Sequence, residues 1–364
     1  VCSHFSPARR RQVAPMVLKQ GREALRSPAR EWAIRAGLIF ASLVFALLMA
    51  EGLSRIFAPI SDLRENILLD GGRVDDFVAP GSVYRQVSNE YDALTTITDK
   101  GHRAPVVEGN PDIVFIGDSF TFGFGLKDDQ TFVSIYCQRQ HLACANLGQP
   151  GSGTLKEVER LEKFLAQWNW RPREVRLFFF AMSGSFSAGN DFVDNYHREL
   201  RMQAESRGDV STPGTPQEEV GGAAERIIGL QSFLLRHSNL VRLLKFYAGP
   251  MLKSMIIADP GNARMTIALD GTRKALARLD ALSREMGFEY SIYLIVPVHD
   301  ILRGTHVDTL ATLNSVSPKP AIATAQLYAA SPAKYYFAFD GHLNPEGNRL
   351  LADFLVSLDL NRVE

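Results

Sequence analysis

The segment Ile113-Val-Phe-Ile-Gly-Asp-Ser-Phe-Thr-Phe-Gly123 opens with a continuous apolar run and breaks abruptly into small and polar residues. Apolar runs of this length mark strands covered on both faces. In a parallel sheet the ligand crevice lies beyond the carboxyl ends of the strands, so Ser119 arrives where a substrate can sit. Gly-Asp-Ser alone says little, because any turn after a strand favours the same residue types.

Working outward, short apolar runs alternate with stretches of helical period from Asp112 onward. That alternation is the signature of a parallel sheet with crossover helices. Strands are expected over residues 113–116, 143–147, 175–181, 290–298 and 335–339. Helices are expected over 130–140, 155–168, 262–286 and 346–358, the last with Leu350, Leu351, Phe354 and Leu355 at helical spacing. The fold class is therefore α/β, a three-layer domain over residues 111–364. Residues 201–226 are too polar to pack and read as a flexible insertion, at about 200–226 of that domain. The apolar segment 227–255 reads as a core or cap helix, with a membrane-contacting lid as the alternative. No internal repeat is present.

Upstream, residues 58–110 carry turn signals at Asp70-Gly-Gly72 and Pro80-Gly81 and the alternating Thr95-Thr-Ile-Thr98, which describes a small strand-rich lead-in. Before it, Arg9 to Arg35 hold eight Lys or Arg residues against Glu23 and Glu31 alone. The uncharged run Ala36 to Ala50 follows, flanked by Trp32 and Phe57. Residues 1–35 thus form a basic segment and 36–57 a transmembrane anchor, lengthened by snorkelling Arg35 and Arg55. The charge asymmetry puts the N-terminus in the cytoplasm and everything after Glu51 on the other side. A cleaved signal peptide and a buried core helix are the alternatives, but a cut after Ala50 places Leu48 where a small residue is required, and the basic flank argues against a core helix. The chain begins with Val, as a non-ATG bacterial start would give, and Met16 is a second candidate start.

The whole chain has 364 residues, 46% hydrophobic, with 40 basic and 40 acidic side chains. Such a chain buries one large core, and its zero net charge gives no field to recruit nucleic acid. The three cysteines, Cys2, Cys137 and Cys144, make no disulfide framework, although an outer compartment would permit one bond, and the latter two read as buried thiols. No Cys/His cluster has zinc-site spacing, so no metal is expected.

The far end of the chain gives Ser119 its context. A second apolar run ends in Phe339-Asp-Gly-His-Leu-Asn-Pro-Glu-Gly347. A serine nucleophile needs a base, and the base needs an acid to fix its tautomer. His342 and Asp340 supply both. Two more strand ends offer oxyanion donors: a backbone amide at Gly151 within Asn146-Leu-Gly-Gln-Pro-Gly-Ser-Gly153, and the side-chain amide of Asn190 within Ala188-Gly-Asn-Asp191. Asp118 reads as a structural hydrogen-bonder, and Asp191 and Asn195 carry no assigned chemistry.

These four segments, in this order, resemble the four blocks of the SGNH (GDSL-like) hydrolase superfamily over about residues 112–358. The resemblance implies a flavodoxin-like α/β/α sandwich. It implies Ser119 as nucleophile and, through its own amide, an oxyanion donor beside Gly151 and Asn190. His342 would be the general base and acid, and Asp340 its orienting partner. Glu51, Gly101 and Arg103, with the extended Gly-Asp-Ser-Phe-Thr-Phe-Gly form, are similar to a membrane-anchored bacterial subgroup. One departure stands out: many members place two residues between acid and base, whereas one separates Asp340 from His342. Asp300, or a backbone carbonyl, is the alternative partner for His342.

The expected function is hydrolysis of carboxylic esters through an acyl-serine intermediate, without a cofactor. The expected substrates are O-acyl groups on envelope polysaccharide, then lipid esters, on the outer side of a bacterial cytoplasmic membrane. An O-acetyltransferase acting on envelope glycans and an inactive SGNH binding or scaffold module are the alternatives.

Overall fold

The computed structural model describes residues 28–57, 65–71, 73–74, 77–105, 107–182, 190–206, 234, 237–244 and 262–363. Its central element is a five-stranded sheet whose hydrogen-bonded neighbours are all parallel. The strands are β6 (Ile113–Gly117), β7 (Cys144–Asn146), β8 (Glu174–Phe180), β9 (Glu289–Ile295) and β10 (Ile322–Ala323), in the spatial order β10-β9-β8-β6-β7. Counted within the sheet this is the 2-1-3-4-5 order of flavodoxin-like folds, with its switch point between β6 and β8.

Helices cover both faces. Helix α3 (Phe132–Gln140) packs with α7 (Pro345–Val363), and α4 (Thr154–Gln167), α5 (Asp191–Ser206) and α6 (Asn262–Met286) pack with one another. Right-handed crossovers running in opposite directions from β6 put these two groups on opposite sides of the sheet. The strands are consequently buried and largely apolar: every residue of β6 is buried, as are Val175 to Phe180 of β8, where the buried Arg176 pairs with Glu174 and Asp359. Aromatic rings knit neighbouring strands, with Phe178 stacked 6.2 Å from Phe115 and 4.7 Å from Tyr293.

Three expectations need correction. Residues 335–339 are not a strand: a short helix, Pro332–Tyr335, leads into a turn where Tyr336 bridges to Leu343. The run is apolar because Tyr336 and Phe337 are buried, and the Tyr336 hydroxyl donates to the Val296 carbonyl at 2.8 Å. The fifth strand is instead β10, two residues long and too short to leave a period in the sequence. Cys137 and Cys144 are not thiols but a disulfide, Cα–Cα 6.1 Å, joining the last turn of α3 to the start of β7. Residues 200–206 of the expected insertion belong to α5. Residues 207–226, and most of 227–255, lie outside the described residues.

Helix α1 (Pro28–Phe57) contains a 26-residue stretch, Trp32–Phe57, whose most apolar 18-residue window has a mean hydropathy of 2.2. It starts earlier than the expected anchor and is long and apolar enough to cross a membrane, at about 1.5 Å per residue.

The lead-in is no separate body, since its described residues belong to the same compact unit as the sheet. There, β1 (Glu65–Asp70), β4 (Val83–Val87) and β5 (Asp92–Thr96) make an antiparallel sheet, and β2 (Arg73–Val74) pairs with β3 (Phe77–Val78). Arg103, 1% exposed, holds it to the domain. Its guanidinium donates to the carbonyls of Phe122, Gly123 and Leu126, reaches Asp128 at 3.4 Å and lies over the Phe122 ring. Its backbone amide donates to the Asn146 carbonyl at 3.1 Å. A buried cation is tolerable only when its donors are satisfied, and these acceptors are the loop that follows the Gly-Asp-Ser turn. Arg103→Met keeps the bulk and strands those carbonyls. We expect it to lower stability by about 3 kcal/mol in urea unfolding, the scale of breaking one buried charged network.

Candidate active site

Strand β6 ends at Gly117, and the chain turns into α2 (Ser119–Phe122), a single turn of helix. Asp118 caps it, accepting from the Phe120 amide at 2.9 Å. The turn is tightly backed. A Cβ on Gly148 would lie 2.2 Å from the Phe122 nitrogen, so only glycine lets the loop after β7 approach so closely. That loop is pinned by Asn146, whose side chain donates to the Thr121 carbonyl at 2.9 Å and accepts from the Gly148 amide at 3.0 Å. The Gln149 amide donates to the Gly117 carbonyl at 2.9 Å. Ser119 is thereby fixed in place, half-buried, at the switch-point end of the sheet.

The loop after the short helix Pro332–Tyr335 brings the remaining chemistry. His342 Nε2 lies 2.7 Å from Ser119 Oγ, and His342 Nδ1 is hydrogen-bonded to Asp340 Oδ1. A carboxylate can only accept, so Nδ1 carries the ring proton and Nε2 faces the serine as an acceptor. Ser119 Oγ also lies 3.3 Å from Asp118 Oδ2, an alternative acceptor for its proton, and the shorter contact to His342 is the better bond. The imidazole packs against Phe120 and Phe124, with centroids at 4.7 and 5.2 Å. Together these contacts leave the ring little freedom to turn.

The one-residue spacing between Asp340 and His342 is therefore compatible with their direct contact. Gly341, at φ 85°, makes the tight turn that folds the carboxylate back onto the ring. The backbone amide of His342 also donates to Asp340 Oδ1, at 3.3 Å. Asp300, the alternative acid, is buried and accepts from the Thr305 hydroxyl at 3.1 Å, with His299 Nε2 at 3.4 Å.

Gly151 and Asn190 stand at the next two strand ends. Gly151 is exposed, at φ +72°, with open space where a Cβ would be. Asn190 is 2% exposed; its Nδ2 donates to the Met182 carbonyl at 3.0 Å, and its Oδ1 accepts from the Phe192 amide at 3.1 Å. It thus fastens the head of α5 to the chain leaving β8. Asp191 and Asn195 are structural pins. Asp191 accepts from Thr154 Oγ1 and the Phe180 amide, each at 3.1 Å, and Asn195 links the Leu155 amide to Thr272.

No protein-family model matches the chain, and no curated protein sequence does. Among solved structures, a member of the lipolytic protein G-D-S-L family from Veillonella parvula is 13% identical, with a TM-score of 0.34, covering 67% of this chain and 96% of that one. An acetylxylan esterase from Geobacillus stearothermophilus is 14% identical, with a TM-score of 0.34, covering 69% and 95%. A further structure, described as a carbohydrate esterase with divergent catalytic and non-catalytic binding functions, is 11% identical, with a TM-score of 0.37, covering 81% and 85%.

Two features of the site escape sequence reasoning. Glu90 and Tyr91, in the turn between β4 and β5, touch the Asp340 loop and belong to no recognisable motif. Buried carboxyls also collect around Asp118, next to Ser119. Burial pushes Asp118 up to about 7, against the Phe120 amide and His342, which favour its ionised form. Burial likewise raises Glu157 and Asp191 well above the ordinary carboxylate range, and each is raised further by the neighbouring acids. Among the described residues, no three His, Cys, Asp or Glu side chains are grouped to hold a metal ion.

The sign of the Asp118 shift sets a pH dependence of stability. The folded chain keeps this proton until about pH 7, whereas the unfolded chain releases it near pH ~4. Between those values the native state binds more protons, so the contribution is full below pH ~4 and lost as pH rises through about 7. Asp118→Asn removes that loss. Its stability relative to wild type should rise steadily between pH ~4 and ~8 in urea titrations.

Proposed function

We propose that the chain is a serine ester hydrolase of the SGNH type, with Ser119 as nucleophile, His342 as base and Asp340 as the acid that orients it. One observation carries the reading: the continuous hydrogen-bonded chain from Ser119 Oγ through His342 to Asp340 at the switch-point end of a parallel sheet.

In the proposed cycle Ser119 Oγ attacks the ester carbonyl while His342 Nε2 takes its proton. The positive charge then on the imidazole is stabilised by Asp340, with the Phe120 and Phe124 rings packed beside it. The Ser119 and Gly151 amides and the Asn190 side chain supply oxyanion donors. His342 returns its proton to the leaving alcohol, and water repeats the sequence on the acyl-serine to free the acid and restore Ser119. Only the acyl group is held covalently, and each proton taken by His342 is given back.

The same reading anchors the protein by α1, with the catalytic domain outside the cytoplasm. The basic flank before the helix supports that orientation, and the Cys137–Cys144 disulfide fits an oxidising compartment. Such a location makes O-acyl groups of envelope polysaccharide, followed by lipid esters, the substrate class to test.

The full chain in detergent should hydrolyse short p-nitrophenyl esters and take a fluorophosphonate label on Ser119. Ser119→Ala and His342→Ala should each lose about a thousand-fold or more in kcat, Asp340→Asn between about a hundred- and ten-thousand-fold, and Asn190→Ala about a hundred-fold. A folded wild-type protein that neither turns over nor labels sinks the hydrolase assignment. Product analysis with a sugar acceptor present separates hydrolysis from acyl transfer. Reporter fusions after residue 60 should be active only outside the cytoplasm, and the reverse pattern removes the proposed orientation.

A further inference from the structure

The turn joining β4 to β5 is built for more than reversing the chain. The Ser88 hydroxyl accepts from the amides of Glu90 and Tyr91, at 3.0 and 3.3 Å, and the Ser88 amide donates to the Tyr91 carbonyl at 2.9 Å. These bonds close a tight loop whose last two side chains face the catalytic loop, nearly 250 residues away along the chain. The Glu90 carboxylate accepts from the Phe339 amide at 3.0 Å and the Asp340 amide at 2.7 Å. The Tyr91 hydroxyl donates to Asp340 Oδ2 at 3.0 Å, the oxygen opposite the one bonded to His342.

Tyr91 is buried, and its ring meets Phe337 at 5.1 Å and Phe124 at 6.2 Å. Phe124 in turn packs on His342. The fit leaves no slack: a Cβ on Gly125 would come within 2.7 Å of the Tyr91 ring. The acid is thus held at both oxygens and at its own amide, and the base is held by a phenyl ring that rests on the same tyrosine.

We infer that Glu90 and Tyr91 are positioning residues of the triad: Tyr91 orients the Asp340 carboxylate, and Glu90 fixes the loop that carries it. Neither touches Ser119 chemistry directly; both act through Asp340. A carboxylate accepting from Tyr91 at Oδ2 shares its charge between two donors and stays in one rotamer, which sets the direction of the Nδ1–H bond and hence of Nε2. A carboxylate at Glu90 is not itself required. The need is for an acceptor reaching two backbone amides, which a glutamine oxygen also supplies.

The inference rests on the hydrolase reading for the role of Asp340, so its test includes a readout independent of turnover. That readout is the far-downfield proton resonance of the His342 Nδ1–H···Asp340 bond, assigned by its loss in His342→Ala, in the full chain in detergent. Tyr91→Phe should move the resonance, Glu90→Ala should broaden or abolish it, and Glu90→Gln should retain it. In parallel, Tyr91→Phe should lower kcat about ten-fold, the worth of one hydrogen bond to a charged acceptor, with KM unchanged and the acid limb of kcat/KM at higher pH. Glu90→Ala should lose at least as much and Glu90→Gln should restore it. Unfolding curves identify any variant that fails to fold, and Tyr91→Phe, which removes one oxygen, decides alone if Glu90→Ala does not fold.

A wild-type resonance and wild-type kcat in folded Tyr91→Phe overturn the inference, as does the absence of any such resonance in wild type. A wild-type protein that shows the resonance, and its response to Tyr91→Phe, yet hydrolyses no ester and takes no label refutes the hydrolase reading while the positioning stands.

Discussion

A serine hydroxyl is a poor nucleophile until a base stands within hydrogen-bond reach with its lone pair turned the right way. In this molecule that condition reduces to the bond between Asp340 and His342. The carboxylate settles which imidazole nitrogen bears the proton, and the 2.7 Å contact between Nε2 and Ser119 Oγ exists because of that choice. Much of the surrounding architecture serves to hold the two partners still. The sheet fixes one end of the chain of bonds at β6, and the packing of α7 on α3 steadies the C-terminal segment that supplies the other. The Phe132 amide, at the head of α3, donates to the Asn348 side chain in α7 at 3.0 Å, tying the two helices where both leave the site.

The buried acids around Asp118, next to Ser119, show what such a site costs. Asp118, Glu157 and Asp191 sit where burial disfavours their ionised forms, and a purely structural core would place apolar residues there. Each does local work instead: Asp118 caps α2, Glu157 accepts from Ser152 at 3.1 Å, and Asp191 joins the end of β8 to the head of α4. The loops around Ser119 are thus held from behind by groups with electrostatic consequences of their own.

What the sequence reveals follows from the range of each interaction. β6, β8 and β9 are legible because burial on both faces leaves unbroken apolar runs, and Ser119, His342 and Asp340 are legible because they follow apolar runs in turn-forming residues. The run at 335–339 misleads for the same reason, since a buried turn and a buried strand use the same side chains. β10 is invisible at two residues. The Cys137–Cys144 bond hides behind a spacing that suits two buried thiols equally well, and only the Cα separation distinguishes them. Glu90 and Tyr91 are the least legible, because nothing local marks a turn residue whose partner lies in another part of the chain.

That separation has a bearing on how the molecule comes into being. The hairpin turn at 88–91 precedes Ser119, whereas the loop it grips follows nearly 250 residues later. Contacts of such long range form late, since the loop they close must lose its freedom before they repay it. During synthesis Ser119 emerges well before His342, and Tyr91 and Glu90 wait with their partners missing. On the proposed reading, reactivity is gained only when these two distant segments meet, and a chain that has not yet reached residue 342 carries Ser119 without the base to use it.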